Sequence, residues 1–176
     1  GDTVRHAALV GRAYLSLSTR LLRAGRDEEA TATLRTAERF LTRSGERENV
    51  GAAQSMLLEG AFVRGDAAGG YAAGWRTLTT LRERRHAVWR HNALYVLARE
   101  AGADGLAHAA AQAHDEDVLA ASGTGRAFEL VEALLARARF HAARGRAEAA
   151  RADVEHARRL LPTVAEGNAR DWNAAD

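Results

Sequence analysis

The sequence predicts an all-α protein, and three observations lead to that prediction. Alanine and leucine are abundant and β-branched residues are sparse, which favours helices over strands. The single proline, Pro162, lies near the end of the 176 residues. Apolar residues recur at helical spacing between glycines, and a glycine is the usual residue just after a helix end.

Eight helices are predicted, paired by turns at four glycines. The helices are placed near residues 4–24, 27–44, 48–64, 67–84, 87–101, 104–121, 126–144 and 147–161. The turn glycines are Gly25, Gly65, Gly102 and Gly145, which lie 40, 37 and 43 residues apart. A loop is expected at 122–125, and a polar tail at 165–176.

The first pair shows a distinctive helix–turn–helix pattern of large and small residues. Its pattern residues are Tyr14, Leu17, Ser18, Leu21, Gly25, Ala30, Leu34 and Ala37. The pattern returns with Leu134, Ala138, Gly145, Ala150, Val154, Ala157 and Pro162. In this last copy Arg137 and His141 occupy places where apolar residues are usual. Two further copies lie at residues 55–78 and 89–114.

These residues resemble the tetratricopeptide repeat, a family of stacked helix pairs. The family repeat is about 34 residues long. The wider spacing here is similar to the extended repeats of large bacterial regulators of the MalT and signal-transducing ATPase type. The resemblance implies a right-handed superhelix (an α-solenoid) of about four helix pairs within residues 1–164. The copies are assigned to residues 4–44, 48–84, 87–121 and 126–161.

The basic segment RERRHAVWRH, residues 82–91, poses the question of nucleic-acid binding. A nucleic-acid surface is expected to be strongly cationic and to offer several aromatic side chains for stacking. The formal net charge of the chain is only +2, and Glu83 lies within the segment. We therefore expect solvated arginines at a helix junction, with Trp89 as a packing residue and no direct contact with nucleic acid.

No catalytic, metal or cofactor site is predicted. The chain has no cysteine, which excludes thiolate chemistry. His108 and His114 are six residues apart, so they do not share one helix face, and the segment 108–118 is predicted to be a solvated helix. The glycine-bearing segment GTGR at 123–126 lacks the strand and the lysine of a phosphate-binding loop. We expect a protein that is not an enzyme.

The family resemblance implies a concave groove, lined by the first helix of each pair, as the binding surface. The residues that this carries over are Arg12, Leu15, Thr19, Arg23, Ser55, Glu59, Phe62, Arg90, Asn92, Leu135 and Arg139. Arginines at such places suit acidic groups or a peptide carboxylate. The lysines of the family's carboxylate clamp are missing, so a receptor for chaperone tails is not proposed.

The expected function is a non-catalytic module that binds a protein or peptide and serves regulation. The absence of an initial methionine suggests a fragment of a larger bacterial regulatory protein, whose other domains are candidate partners. A cytoplasmic location and no membrane contact are expected. Two alternatives stay open: a small-molecule sensor, suggested by Phe62, and self-association around Trp75.

Overall fold

The computed structural model describes residues 2–82 and 87–173, with side chains up to residue 165. Over these ranges the chain forms eight α-helices and no strand, which confirms the all-α prediction. The helices are α1 (Asp2–Arg23), α2 (Asp27–Ser44), α3 (Arg47–Val63), α4 (Ala67–Thr80), α5 (Ala87–Ala103), α6 (Ala107–Ser122), α7 (Ala127–Ala142) and α8 (Ala147–Asn173).

Contacts within the chain define two compact units, Gly1–Val96 and Leu97–Asp176, with the boundary inside α5. In the first unit α2 packs on α1 and α3, α3 packs on α4, and α3 also touches α1. In the second unit α7 packs on both α6 and α8. Within each unit these contacts are mainly between helices that are neighbours in sequence, as expected for helical repeats.

The first unit holds two small apolar clusters between α1, α2 and α3. The first cluster consists of Leu34, Ala53 and Leu57, with Leu15 and Met56 against it. The second cluster consists of Ala37, Leu41 and Val50, again with Leu15 against it. Because Leu15 touches both clusters, it joins the first helix to the interface between the second and the third.

The third and fourth helices approach closely at a glycine. A Cβ atom at Gly51 would overlap Cδ2 of Leu81. The same contact recurs one pair earlier, where a Cβ at Gly11 would lie 2.7 Å from Cγ of Leu41. A glycine facing a buried leucine thus sets the helix separation in both pairs.

The turns repeat with a constant period. Gly25, Gly65, Gly105 and Gly145 have φ between 69° and 76°, and each lies 40 residues after the one before it. The turn predicted at Gly102 is therefore wrong, because Gly102 lies inside α5. We call residues that are 40 residues apart, or a multiple of 40, equivalent.

The third turn also shows the hydrogen bond that is typical of a helix ending at glycine. The N–H of Leu106 donates to the carbonyl oxygen of Ala101 at 2.8 Å. Its equivalent in the first pair runs from the N–H of Arg26 to the oxygen of Leu21 at 2.9 Å. The sequence did not distinguish Gly102 from Gly105, since either one can end a helix.

The two glycines should respond in opposite ways to substitution by alanine. Gly105→Ala should cost about 1 kcal/mol of stability because a Cβ is strained at positive φ. Gly102→Ala should stabilise by about 0.5 to 1 kcal/mol, since its φ is helical and a Cβ would only reach the Cβ of Ala110 at 4.0 Å. Urea unfolding of both variants tests this, and the reverse order would contradict the turn assignment.

Two helix ends differ from the sequence prediction. α8 continues past Pro162 to Asn173, so residues 165–173 of the predicted tail are helical. α4 ends at Thr80, four residues before the predicted end. Residues 83–86 of the basic segment lie outside the described residues, while Arg82 is exposed and Trp89 is half-buried.

Candidate functional site

The predicted groove residues of α1 divide into exposed arginines and side chains that bond within the helix. Arg12 is exposed, and its Nη1 lies 3.4 Å from Oε1 of Glu46 in the turn after α2. Arg23 is exposed at the end of α1. The hydroxyl of Thr19 donates to the carbonyl oxygen of Leu15 at 3.1 Å, so its donor is already used.

Three of the predicted groove residues are used in packing. Leu15 contacts both apolar clusters of the first unit. Ser55 is buried, so its side chain does not reach a partner at the surface. The Phe62 ring lies against Gly70 and makes an edge contact with Tyr71, with ring centroids 5.1 Å apart. Ser55 is therefore not part of an open groove, while Leu15 and Phe62 are half-buried and their place in the groove stays a prediction.

The other predicted residues of the first unit lie at or near the surface. Glu59 borders a cleft of about 270 Å³ between α1 and α3. The other residues lining this cleft are Leu22, Asp27, Met56, Gly60, Val63 and Arg64. Arg90 and Asn92 on α5 are half-buried. Among the residues that the structure describes in this unit, the predicted groove residues do not come together in one cleft.

Two predicted residues do meet in the second unit. Leu135 and Arg139 line a cleft of about 630 Å³ between α7 and α8, which we call the α7–α8 cleft. Its other lining residues are Ala138, Ala142, Ala150, Arg151, Val154 and Glu155. The cleft has an apolar floor of leucine, valine and alanine, with two arginines and one glutamate at its edges.

The α7–α8 cleft is equivalent to a surface that is covered in the first unit. Leu135 is equivalent to Leu15, and Val154 is equivalent to Leu34. Leu34 is 2% exposed because α3 packs over it, whereas Val154 is 48% exposed. The side chains of α3 that cover Leu15 and Leu34 are Ala53, Met56 and Leu57. The α7–α8 cleft thus has the residues of a helix-binding interface, open to solvent.

A polar network lies on the opposite side of α7, between α6 and α8. The Arg137 guanidinium donates from Nε and Nη2 to the two carboxylate oxygens of Asp153, at 2.9 and 2.7 Å. Its Nη1 donates to Oδ1 of Asp115 at 2.9 Å. His141 Nε2 lies 3.8 Å from Asp153. We call these four residues the Arg137 network, and the bonding to Asp153 raises the pKa of Arg137.

The Arg137 network stands where other repeats are apolar. The residues equivalent to Arg137 are Leu17, Leu57 and Leu97. The sequence identified Arg137 and His141 as departures from the repeat pattern, but it did not identify their partners. Asp153 and Asp115 are 16 and 22 residues away from Arg137, on two different helices.

His114 extends this polar region into the interior. The predicted solvated helix at 108–118 is wrong for this residue, which is 5% exposed, and for Asp117, which is buried. The imidazole lies 4.9 Å from the Phe140 ring, centroid to centroid. The pKa of His114 is lowered to about 4, mainly by burial and in smaller part by the positive charges of His141 and Arg137.

Phe140 is also contacted by arginine from its other side. The guanidinium carbon of Arg144 lies 3.9 Å from the ring centroid, and that of Arg146 lies 5.2 Å away. These are cation–π distances. Phe140 is thus within ring-contact distance of two guanidinium groups and of the His114 imidazole.

No protein-family model matches this sequence, and no curated protein matches it. The two features of the molecule that bear on its function are the α7–α8 cleft and the Arg137 network.

The described residues offer limited chemistry. Among residues 2–82 and 87–165 there is no group of three or more acidic or histidine side chains arranged to hold a metal ion. In the part of the chain that the structure covers, no helix combines the length and the apolar character that a membrane span needs. The loop before α7 is held by its own bonds, since Thr124 accepts from the Arg126 N–H and Arg126 pairs with Glu129 at 3.2 Å.

Proposed function

We propose that this chain is a non-catalytic protein-binding module whose α7–α8 cleft accepts an amphipathic helix. The observation that carries this proposal is the equivalence with the first unit, in which α3 packs over Leu15 and Leu34. Leu135 and Val154 offer apolar side chains at the same two places of the α7–α8 cleft, with a smaller valine in place of Leu34. An apolar floor with charged edges is typical of helix-in-groove recognition.

The lining of the cleft specifies the kind of helix that fits. Ala138, Ala142 and Ala150 leave room for a close approach of backbones, as alanine does where α3 packs on α2. The edges carry both signs of charge, Arg139 and Arg151 together with Glu155, so partner side chains of either charge can pair there. The partner should therefore present small residues and one leucine on its apolar stripe.

The proposal also includes the arrangement of the helix pairs and the kind of protein to which they belong. We propose that the helix pairs continue as the right-handed superhelix of tetratricopeptide-like repeats, in a bacterial regulatory protein. The 40-residue period of the turns supports a repeat of constant geometry. The small-molecule alternative was suggested by Phe62 and by the alanine-rich inner faces; because Phe62 is engaged with Gly70 and Tyr71, we prefer the helix-binding role.

A peptide with the sequence of residues 47–63, the α3 helix, tests the proposal directly. Labelled with fluorescein and titrated with the full chain, it should bind with a Kd of about 100 µM, or roughly −5.5 kcal/mol. Val154→Glu should weaken binding at least about tenfold, because a carboxylate in the cleft loses its hydration without gaining a partner. Fluorescence anisotropy measures both affinities.

Two controls accompany this titration. The same peptide with Leu57→Glu should bind no better than a scrambled peptide, since Leu57 is the side chain that enters the equivalent interface. The chain variant Leu119→Glu changes an exposed leucine on α6 outside the cleft and should leave the Kd unchanged. Equal binding by the wild type and Val154→Glu would contradict the proposal.

A further inference from the structure

The first helix carries the same residues that α3 uses to pack on α2. In α3 these residues are Val50, Ala53 and Leu57, which lie in the two apolar clusters of the first unit. Their equivalents in α1, 40 residues earlier, are Val10, Ala13 and Leu17, identical at all three places. α1 therefore repeats the apolar stripe by which α3 binds its neighbour.

In α1 two of these three residues are exposed to solvent. Leu17 is 45% exposed, whereas its equivalent Leu57 is 7% exposed. Ala13 is exposed as well, while Ala53 is fully buried. α1 packs on α2 through a different set of residues: Ala7, Ala8, Gly11, Ser18 and Leu21 are buried. Val10 is half-buried, so Ala13 and Leu17 are the part of the Val10–Ala13–Leu17 stripe that is fully available to another surface.

The last helix carries the complementary half of the same interface. α2 binds α3 through Leu34, Ala37 and Leu41. The equivalents on α8 are Val154, Ala157 and Leu161, so two of the three are identical and the third is a valine in place of leucine. Val154 and Leu161 are about half exposed, whereas both of their equivalents on α2 are buried.

We propose that the helix accepted by the α7–α8 cleft is α1 of a second copy of this chain. The inference rests on the proposed function, because it names the partner of the same cleft. Leu17 of one copy takes the place that Leu57 has in the first unit, beside Leu135 and Val154 of the other copy. α1 carries four arginines and one acidic residue, Asp2, and the cleft offers one carboxylate, Glu155, so apolar packing and not charge attraction carries this contact.

This contact joins two different surfaces, so it is heterologous. Each copy that binds through α1 still offers its own α8, and the assembly grows head to tail. The wild-type chain should therefore show a mass that rises with concentration, instead of a single dimer. A symmetric dimer would not grow in this way, because both copies use the same surface and none is left for a third copy.

Sedimentation velocity on the full chain and two variants tests the proposal. The weight-average mass of the wild type should rise above the 18.9 kDa monomer mass between about 10 µM and 1 mM, a range set by the expected affinity of one helix interface. Leu17→Glu and Val154→Glu should each remain monomeric, because each variant has lost one of the two surfaces. An equimolar mixture of the two should form a dimer of twice 18.9 kDa and nothing larger, since one intact α1 meets one intact cleft.

Leu119→Glu is the matched control, because it places the same charge at an exposed leucine outside both surfaces. It should associate as the wild type does. Circular dichroism checks that all three variants keep their helix content. A wild-type chain that is monomeric up to about 1 mM, or a mixture that stays monomeric, would overturn the proposal.

The outcomes separate this inference from the function on which it rests. If the chain stays monomeric while the 47–63 peptide binds and Val154→Glu abolishes that binding, the cleft binds helices of another protein and self-association is wrong. If neither association nor peptide binding occurs, both proposals are wrong. Association that survives Leu17→Glu and Val154→Glu but is lost on Trp75→Glu would overturn this inference and place the contact at the exposed Trp75.

Discussion

Replacing Asp153 by alanine should lower the free energy of unfolding by about 2 to 4 kcal/mol. Asp153 accepts two hydrogen bonds from Arg137, whose side chain is only 21% exposed. Breaking a buried ion pair from one side usually costs about 3 to 5 kcal/mol, because it leaves a charge without a partner. The expected loss is smaller here because Asp115 still accepts one bond from Arg137. Urea unfolding at pH 7 and 25 °C measures the change.

The double variant Arg137→Leu with Asp153→Ala should recover that loss. It installs the residues of the other repeats, since Arg137 is equivalent to Leu57 and Asp153 is equivalent to Ala73. Replacing a buried ion pair by apolar residues is often neutral or stabilising, so we expect stability within about 1 kcal/mol of the wild type. A double variant as unstable as Asp153→Ala alone would contradict this account.

An exposed ion pair provides the control for the Arg137 network. Arg26 and Glu29 are joined by two hydrogen bonds of 2.7 and 2.6 Å at the start of α2, but both side chains are solvated. Arg26→Leu should leave the urea midpoint essentially unchanged, because exposed pairs are screened by water. A large loss of stability in both Arg26→Leu and Asp153→Ala would mean that burial is not the reason why the Arg137 network is strong.

The free energy of unfolding should also decrease as the pH is lowered through the range in which His114 binds a proton. The folded-state pKa of this residue is lowered to about 4, whereas an unfolded histidine titrates near 6.5. Between these two values the unfolded chain binds a proton that the folded chain excludes. The contribution of His114 is therefore fully present above about pH 6.5 and is lost as the pH falls toward 4, by on the order of 2 kcal/mol.

The variant His114→Leu isolates this contribution. It restores the apolar residue of the equivalent Leu34, and the groups that face the imidazole (Phe140, Arg137 and His141 among them) stay in place. Urea unfolding is measured at half-unit pH steps from 7 to 4. Over this range the free energy of unfolding should decrease less for this variant than for the wild type.

The matched control for the pH prediction is His108→Leu, since His108 is exposed on the same helix. Its pH profile should follow that of the wild type. Identical slopes for the wild type and His114→Leu would show that His114 is not the group responsible. His141 contributes in the same direction, since its pKa is lowered by burial, and it is present in every variant compared.

Much of the fold follows from local chemistry that a sequence displays. Helices and their breaks are short-range features, because a glycine at positive φ ends a helix whatever lies elsewhere. Gly25, Gly65 and Gly145 were predicted in this way, and each has the left-handed conformation. Gly102 was wrong because two glycines stand three residues apart, and only the backbone at Gly105 shows which one turns.

The orientation of helix faces was less predictable. Apolar periodicity defines a stripe, but the helices that meet it decide whether a residue packs or faces solvent. Phe62 was assigned to a groove, yet it packs on Gly70 because that glycine leaves room for the ring. Ser55 was assigned in the same way and is buried. Leu135 and Arg139 were assigned by the same reasoning and do border a cleft.

The polar sites required the tertiary structure most of all. The sequence showed that Arg137 and His141 break the apolar pattern, and that Asp115 and Asp153 are acidic residues on other helices. It did not show that Arg137 binds both carboxylates, because such bonds depend on which helix faces meet across 16 and 22 residues. Backbone conformation is decided by residues that are neighbours in sequence, so it could largely be predicted from the sequence. Pairing between side chains is decided by packing, so the candidate sites became visible only once the helices were in contact.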